Sequence, residues 1–478
     1  MAMLSANRKS SFGALVRESA IYGGGMVLVR GIGFLLTPLF TRLFDAAQFG
    51  TLDLLQTAAL PASLMLSFRM ESAALRYYGE EDRSALFSTY LIAQIVVGGA
   101  FLVGTWWILV PVFRYWTGFD DAVTTMMAGC SVVVGLLYAH VLTLLRAERE
   151  AARASLVIAL ETVLNVSLAI ALVAGLRLQL AGVFASRVLA DGVCTAIVLI
   201  SRRHVYRLCF SWPIFLRMLR FGVPTLPEGL LSFVTAHIGK IILLRYASVA
   251  DVGVLAVANK IAGPLKLAFQ SFRQAWLPYA FSVSKNSDAH EVYAGVLRGY
   301  ARLSAVIATA IVLFSREMVL VLAGAGYLEA RWLVGWVVAA AVIGGLPYIV
   351  NIGLLLAEKT IYYTAAVFAS AVATVIASAT LISEWGLLGA VVAGLLGSFV
   401  FAGGVFYFSQ RIRPMPYDLT EALFLSGAMI GLSGLGLTEI VDWPLPIRAG
   451  ILLGVAALVM RGTPARDFVR GLLSRRRR

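Results

Sequence analysis

The sequence predicts an all-α, polytopic membrane protein with about 14 transmembrane helices. Of its 478 residues, 60% are hydrophobic and 14% are charged, and the mean hydropathy is +0.85. Soluble domains have about 45–50% apolar and about 25% charged residues. Apolar stretches of about 20 residues, each long enough to cross about 30 Å of hydrocarbon, recur along almost the whole chain. Helices are expected because a spanning segment must satisfy its own backbone polar groups, and the alternation typical of a membrane β-barrel is absent.

Glycines, prolines and clusters of charge separate the predicted spans. They cover residues 19–40, 51–75, 86–112, 122–145, 154–175, 179–200, 221–244, 253–275, 299–323, 332–356, 360–382, 386–409, 421–440 and 446–461. Taking the N-terminus as inside, the inside segments hold 25 basic residues and the outside loops hold six. This asymmetry predicts that both termini are cytoplasmic. The tail Arg475–Arg478 is expected to contact anionic lipid headgroups rather than nucleic acid.

A spacing pattern occurs twice and predicts the domain organisation. Arg42, Gly50 and Pro61 have the same separations as Arg245, Gly253 and Pro264, namely eight and eleven residues. Each copy closes the first hairpin of a block of six spans, and coincidence is the alternative explanation. The pattern predicts a six-helix lobe at 1–202, a second at 203–412, and a terminal helix pair with a basic cytoplasmic tail at 413–478. Two related bundles suit alternating access to a site between them.

Short motifs along nearly the full chain resemble the Wzx-type polysaccharide flippases of the MOP superfamily. The motifs are Ser19-Ala-Ile-Tyr-Gly-Gly-Gly, Gly33-Phe-Leu-Leu-Thr-Pro38, Thr41-Arg42, Phe49-Gly50, Leu75-Arg76-Tyr77-Tyr78, Phe221-Gly222-Val-Pro224, Val252-Gly253 and Ala258-Asn259-Lys260-Ile261. The resemblance implies two pseudo-symmetric six-helix lobes around a cationic cavity, and undecaprenyl-diphosphate-linked oligosaccharide as the substrate class. Such proteins often carry an Asp-Arg pair near the end of the seventh span, where this chain has Gly239-Lys240. The cation is therefore kept, whereas ion pairing by the acid is in doubt.

Basic residues within the spans are the candidate substrate-binding groups. A charge at the bilayer centre costs about 2.5–3.5 kcal/mol on insertion scales, so a cluster is expected to face a watery cavity or a partner. Nine basic residues fall inside the spans: Arg30, Arg69, Arg187, Lys240, Lys260, Lys266, Arg273, Arg302 and Arg316. Those near span ends need no special role, because long side chains can reach the interface.

The eighth span carries a polar stripe. Asn259, Lys266 and Arg273 are seven residues apart on one helical face, and Lys260 lies at its edge. With Arg30 and Lys240 they are predicted to form a cationic cleft for a diphosphate, since Arg and Lys both bind phosphate oxygens. For each cation, the alternative to lining the cleft is that its long side chain reaches the membrane interface. For Arg273 the two interpretations are equally favoured.

Acidic residues in the spans are candidates for coupling or gating. Glu161 shares a helical face with Asn165, lacks a sequence-local cation and is the candidate proton or cation site. Arg187 and Asp191 are four apart and are expected to pair.

Two further acids lie near predicted helix ends or breaks. Glu71 beside Arg69 could form a gate ion pair or a solvated rim. Glu228 follows Pro224 and Pro227, where the helix is expected to be interrupted.

The favoured function is therefore transport of a lipid-linked glycan by alternating access, without covalent chemistry. A MATE-like exporter of small amphipathic compounds is the first alternative, although a basic cavity would repel cationic cargo. A membrane glycosyltransferase or ligase is the second, but the outside loops are short and the four histidines are scattered. No cofactor or metal is expected, and a proton or sodium gradient is the candidate driving force. The expected partners are the lipid-linked oligosaccharide, membrane lipids and the polysaccharide polymerase machinery.

Overall fold

The computed structural model describes residues 36–207, 209–284, 286, 289–417 and 443–461. Within these ranges every regular element is a helix. The α-helices are α1 (Thr37–Leu43), α2 (Ala46–Ser67), α3 (Met70–Tyr77), α4 (Arg83–Gly104), α5 (Val110–Thr117), α6 (Ala122–Ala147), α7 (Ala151–Ala169), α8 (Gln179–Ser201), α9 (Trp212–Gly222), α10 (Leu226–Tyr246), α11 (Val249–Ile261), α12 (Gly263–Val283), α13 (Ala289–Leu313), α14 (Ser315–Leu322), α15 (Ala330–Gly345), α16 (Pro347–Val350), α17 (Ile352–Leu356), α18 (Ile361–Ile412) and α19 (Leu445–Arg461).

The predicted fold class is confirmed. Counting helices joined end to end as one, nine in the described ranges are long and apolar enough to cross a membrane, and ten if the bent pair α11 and α12 is one span. Helix α18 has 52 residues, about 78 Å at 1.5 Å per residue, and so is long enough for two spans. It breaks at Gly386, where φ is 53° and ψ is −124°. This break lies at the predicted junction of the spans 360–382 and 386–409. Most of the first span and all of 421–440 lie outside the described residues.

Several membrane helices are interrupted, and two of these interruptions correct the sequence prediction. The second span, predicted as continuous over 51–75, breaks between α2 and α3, where Phe68 and Arg69 have φ of 46° and 55°. The eighth span, predicted as continuous over 253–275, bends by 47° between α11 and α12. Pro264 is the second residue of α12, within the first turn, where its missing N–H removes no helical hydrogen bond. The interruption predicted near Pro224 is present, as a 3₁₀ turn over Val223–Thr225.

The two copies of the spacing pattern start helices in the same way. Three residues after Arg42, Asp45 caps α2 and accepts from the Gln48 backbone N–H at 2.8 Å. Three residues after Arg245, Ser248 caps α11, and its hydroxyl accepts from the Asp251 backbone N–H at 3.2 Å. Both are capping boxes, in which the third helical residue bonds back to the capping residue. The repeated spacing therefore encodes a repeated helix start.

The chain divides into two compact units, Met1–Phe233 and Val234–Arg478, and the division falls within α10. The larger core of the first unit joins α3, α4 and α9 and includes Met70, Phe87, Tyr90 and Met218. In the second unit, Ala339 and Ile343 of α15 pack on Leu395 of α18. The boundary predicted at residues 202 and 203 remains a prediction.

Two helix breaks of the first unit pack against each other. Gly222 ends α9 so close to α2 that a Cβ atom there would lie 2.1 Å from the Phe68 carbonyl oxygen. A Cβ on Gly229 would lie 2.6 Å from Leu64 and 3.1 Å from the Arg69 guanidinium. The glycines therefore permit a backbone approach that no larger residue would allow.

Candidate anion-binding site and comparison with known proteins

A half-buried lysine and a half-buried asparagine form the centre of the predicted polar stripe in the second unit. Lys266 Nζ of α12 donates to Asn259 Oδ1 of α11 at 3.0 Å. The Asn259 amide donates in turn to the Leu255 carbonyl at 3.1 Å, which fixes the orientation of the acceptor. The contact crosses the break between α11 and α12, so the predicted shared face of Asn259 and Lys266 survives the bend. Among the described residues, Lys266 has a neutral partner and no acidic one.

A second lysine lies close to this pair. Lys240 of α10 is 8% exposed, and its charge repels the ammonium group of Lys266. Its neighbour Gly239 brings α10 near α18, since a Cβ there would lie 3.8 Å from both the Ala390 carbonyl and the Ser378 hydroxyl. Lys240 also makes contacts of its own, and the repulsion between the two cations has a cost in free energy that an anion beside them would offset. The arrangement can therefore bind an anionic group.

The other members of the predicted cleft are placed differently. Lys260 is half-buried beside Asn259 and makes contacts of its own. Arg273 is exposed, and its guanidinium lies 4.5 Å from the centre of the Tyr348 ring. Arg273 thus lines a separate cavity with Tyr348. Arg30 lies outside the described residues.

The acidic candidates of the first unit lie together on α7 and α8. Arg187 Nε is 3.6 Å from Asp191 Oδ2, so the expected ion pair forms. Asp191 is 1% exposed, and the charge of Arg187 also acts on Glu161. Asn165 Oδ1 accepts from the Ser186 hydroxyl at 3.1 Å. Glu161 has no basic residue near it on its own helix, and Arg187 of the neighbouring helix α8 therefore supplies the positive charge.

Glu71 and Arg69 lie at the break between α2 and α3. Arg69 occupies the residue before α3 in the left-handed conformation, and its charge acts on Glu71 in the first turn. The half-buried Glu71 also lies within electrostatic range of the buried Tyr90 of α4. Both residues are only half-buried, and the structure gives them no assigned role.

An ion network at one end of the first unit was not predicted. Glu148 and Glu150, between α6 and α7, pair with Arg83 of α4 and Arg202 at the end of α8. Arg153 adds a contact of 2.8 Å to Glu150. Burial raises the pKa of Glu150, but hydrogen bonds from Arg202 and Arg153 outweigh it and hold the pKa below the ordinary 4.5. The net effect is that these arginines tie the ends of four helices together.

The segment after α8 is fastened to the first unit by polar contacts that also escaped prediction. The Tyr206 hydroxyl lies 3.1 Å from Nε2 of the fully buried His140. The Arg207 backbone N–H donates to the Ser88 hydroxyl at 3.1 Å. These pairs are 66 and 119 residues apart, so no local pattern could have indicated them. Within the described ranges, no group of three or more His, Cys, Asp or Glu could hold a metal ion.

Solved structures share the fold of this protein. One is the lipid II flippase MurJ in an inward closed conformation, with a TM-score of 0.71 and 12% identity, covering 95% of this chain and 100% of that chain. Another is an inward-facing multidrug resistance MATE family transporter of the MOP superfamily, with a TM-score of 0.65 and 15% identity over 82% of this chain and 94% of that one. The fold is therefore that of the multi-pass transporters of the MOP superfamily.

Sequence comparison gives the family. Residues 15–284, more than half of the chain, match the family model described as polysaccharide biosynthesis protein, and the chain belongs to this family. An uncharacterized membrane protein of Haemophilus influenzae (strain ATCC 51907 / DSM 11121 / KW20 / Rd) is 21% identical over 285 residues, which are 58% of this chain and 67% of that relative. The resemblance indicated by the sequence motifs is thereby confirmed.

Proposed function

We propose that this protein moves a polyprenyl-diphosphate-linked oligosaccharide from the cytoplasmic to the periplasmic leaflet of a bacterial inner membrane, by alternating access. The observation that carries the proposal is the pair of neighbouring cations, the buried Lys240 and the half-buried Lys266, with Asn259 beside Lys266. Membership of the polysaccharide biosynthesis family supports a glycan as cargo. The lipid II flippase MurJ shares the fold and supports a lipid-linked cargo.

The diphosphate is the part of such a cargo that needs these lysines. It is strongly anionic, whereas the glycan can stay in water and the polyprenyl chain in lipid. Lys240 and Lys266 repel each other, so a diphosphate between them would be favoured over an empty site. Asn259 holds Lys266 in place by a neutral contact, which leaves its charge available.

The driving force is proposed to enter through the acids of the first unit. Glu161 and Asp191 flank Arg187, so protonation or cation binding at either acid would change how the arginine is held. Glu71 and Arg69, at a helix break, are proposed to act in gating. The polymerase machinery that consumes the exported glycan is the proposed protein partner, and both termini are proposed to be cytoplasmic.

The proposal is tested in a deletion strain that carries the gene on a plasmid. Lys240→Ala and Lys266→Ala are each expected to abolish surface glycan and to make lipid-linked oligosaccharide accumulate, at normal protein abundance in the membrane. Lys359→Ala is the matched control, because Lys359 is an exposed lysine of the same unit. Normal surface glycan with Lys240 and Lys266 both replaced would refute the proposed roles.

Export of small compounds is the second candidate, because a multidrug MATE transporter shares the fold. The positive charges of Lys240 and Lys266 argue against cationic cargo, which they would repel. The same deletion strain separates the two candidates. Loss of glycan with unchanged drug susceptibility supports the flippase, whereas increased susceptibility to cationic drugs with normal glycan supports the exporter.

A further inference from the structure

A cavity of about 140 Å³ lies within the second unit, away from the contact between Asn259 and Lys266. It is formed by α12, the short helices α16 and α17, and the start of α18. Its lining includes Arg273, Tyr348, Asn351, Leu355, Thr360 and Tyr363. A cavity needs roughly 10–15 Å³ for each water that it holds, so this one has room for a group of about ten non-hydrogen atoms.

One wall of the cavity combines an aromatic ring with a cation. The Arg273 guanidinium lies 4.5 Å from the centre of the Tyr348 ring, within the range of a cation–π contact. Among the residues that the structure describes, Arg273 has no acidic partner. The ring orders the guanidinium without using up its five N–H donors, which remain available to a ligand.

A second wall presents a hydrogen-bond acceptor. Asn351 lies between α16 and α17, where the helix is interrupted. Its Oδ1 atom is buried and accepts no hydrogen bond from the described residues. Leaving a buried acceptor unpaired costs about 1–3 kcal/mol. A ligand that carries a hydroxyl group would remove this cost.

The chain just before Tyr348 packs closely against α12 and α13. The Tyr300 hydroxyl donates to the Val342 carbonyl at 2.8 Å, and its ring lies 4.8 Å from that of Phe269. Gly345 makes this packing possible, since a Cβ there would lie 1.9 Å from the Tyr300 hydroxyl. Tyr348 follows on the next helical turn. Gly345 therefore allows α13 to pack closely against the end of α15, three residues before Tyr348.

From these features we infer that the cavity binds one sugar ring of the glycan, an inference that rests on the proposed function. A sugar ring has apolar C–H faces that suit Tyr348 and Tyr363, and hydroxyl groups that can donate to Asn351 and accept from Arg273. Pockets of this kind combine an apolar or aromatic lining with a few placed polar groups. A free phosphate would match Arg273 but would lose hydration against Leu277, Leu354 and Leu355.

The test measures sugar binding directly, without transport. Full-length protein in lipid nanodiscs is mixed with glucose, glucuronic acid or N-acetylglucosamine, and saturation-transfer-difference NMR reports contact. At least one sugar is expected to receive saturation from the wild type. Tyr348→Leu removes the aromatic face, Asn351→Leu removes the acceptor, and each is expected to weaken binding about tenfold. Trp385→Leu, which removes an exposed ring of α18, is the control and should bind as the wild type does.

Three results would overturn the inference. They are unchanged signals from the Tyr348 and Asn351 variants, displacement of the sugar by an equal concentration of inorganic phosphate, and no saturation of any of the three sugars. Failure here is distinguishable from failure of the proposed function. Glycan export that depends on Lys266, with no sugar binding at Tyr348, would remove the sugar site alone. Sugar binding in a protein whose deletion leaves export normal would remove the flippase assignment alone.

Discussion

Replacing Gly222 with alanine perturbs the contact between the two helix breaks of the first unit. The new methyl carbon would lie 2.1 Å from the Phe68 carbonyl oxygen, and 3.2 and 3.3 Å from the carbonyl carbons of Phe68 and Arg69. Even in the close C–H···O contacts of folded proteins, the carbon and oxygen atoms stay about 3.3 Å apart. The backbone must therefore move by roughly 1 Å. Phe68 and Arg69 already have positive φ, so they have little freedom to adjust.

The expected cost follows from two opposing effects. Forcing a methyl group into a packed site costs about 1–3 kcal/mol. Because the clash is with backbone atoms, this cost lies near the upper end of that range. Alanine gains about 0.5–1 kcal/mol over glycine within a helix, so the net loss of stability is about 2 kcal/mol. Because the contact joins α2 to α9, the loss should appear in the folding of the whole first unit.

The assay is thermal unfolding of purified protein in detergent, followed by the loss of monodisperse protein on size exclusion. Gly222→Ala is expected to lower the midpoint clearly. The matched control is Gly99→Ala in α4, where an added Cβ has no neighbour within 4 Å, and this variant should be as stable as the wild type or slightly more so. An unchanged midpoint for Gly222→Ala would show that the two breaks do not pack as described.

Two further predictions concern ion pairs outside the candidate anion-binding site of Lys240, Asn259 and Lys266. Arg448 is 5% exposed and binds both oxygens of Glu317 at 2.8 and 2.6 Å, so Arg448→Ala should cost about 2 kcal/mol of stability in the same assay; no change would contradict the pairing. The lowered pKa of Glu150 contributes stability that is fully present above pH 4.5 and is lost as the pH falls through the folded pKa. The midpoint of thermal unfolding, measured between pH 7 and pH 3, should therefore fall below pH 4.5, and it should fall less in Glu150→Gln than in the wild type. Identical pH profiles of the two proteins would refute this prediction.

Much of the fold could be predicted because membrane spans are encoded locally. The apolar stretches located the spans, and Pro224 and Gly386 marked real interruptions. The bend before Pro264 had a visible signal, since Gly263-Pro264 is a dipeptide that favours a turn. The break at Phe68 and Arg69 had none, because neither residue is glycine or proline and the conformation depends on packing by Gly222.

The candidate site was predictable only where it lies along one helix. Asn259 and Lys266 were placed on one face by their spacing, and they do make contact. The electrostatic effect of Arg187 on Glu161 depends on two neighbouring helices, and the ion pair of Arg448 with Glu317 spans 131 residues. Single-sequence periodicity carries no information on such contacts. The stacking of Arg273 on Tyr348 belongs to the same class.

The central claim is that Lys240 and Lys266 bind the diphosphate of the cargo. Its most direct test is the affinity of the purified protein for a short polyprenyl diphosphate, with the uncharged polyprenol as the reference ligand. The account predicts that Lys240→Gln and Lys266→Gln each raise the Kd for the diphosphate about tenfold or more and leave polyprenol binding unchanged. Equal affinity of the wild type and both variants for the diphosphate would contradict it.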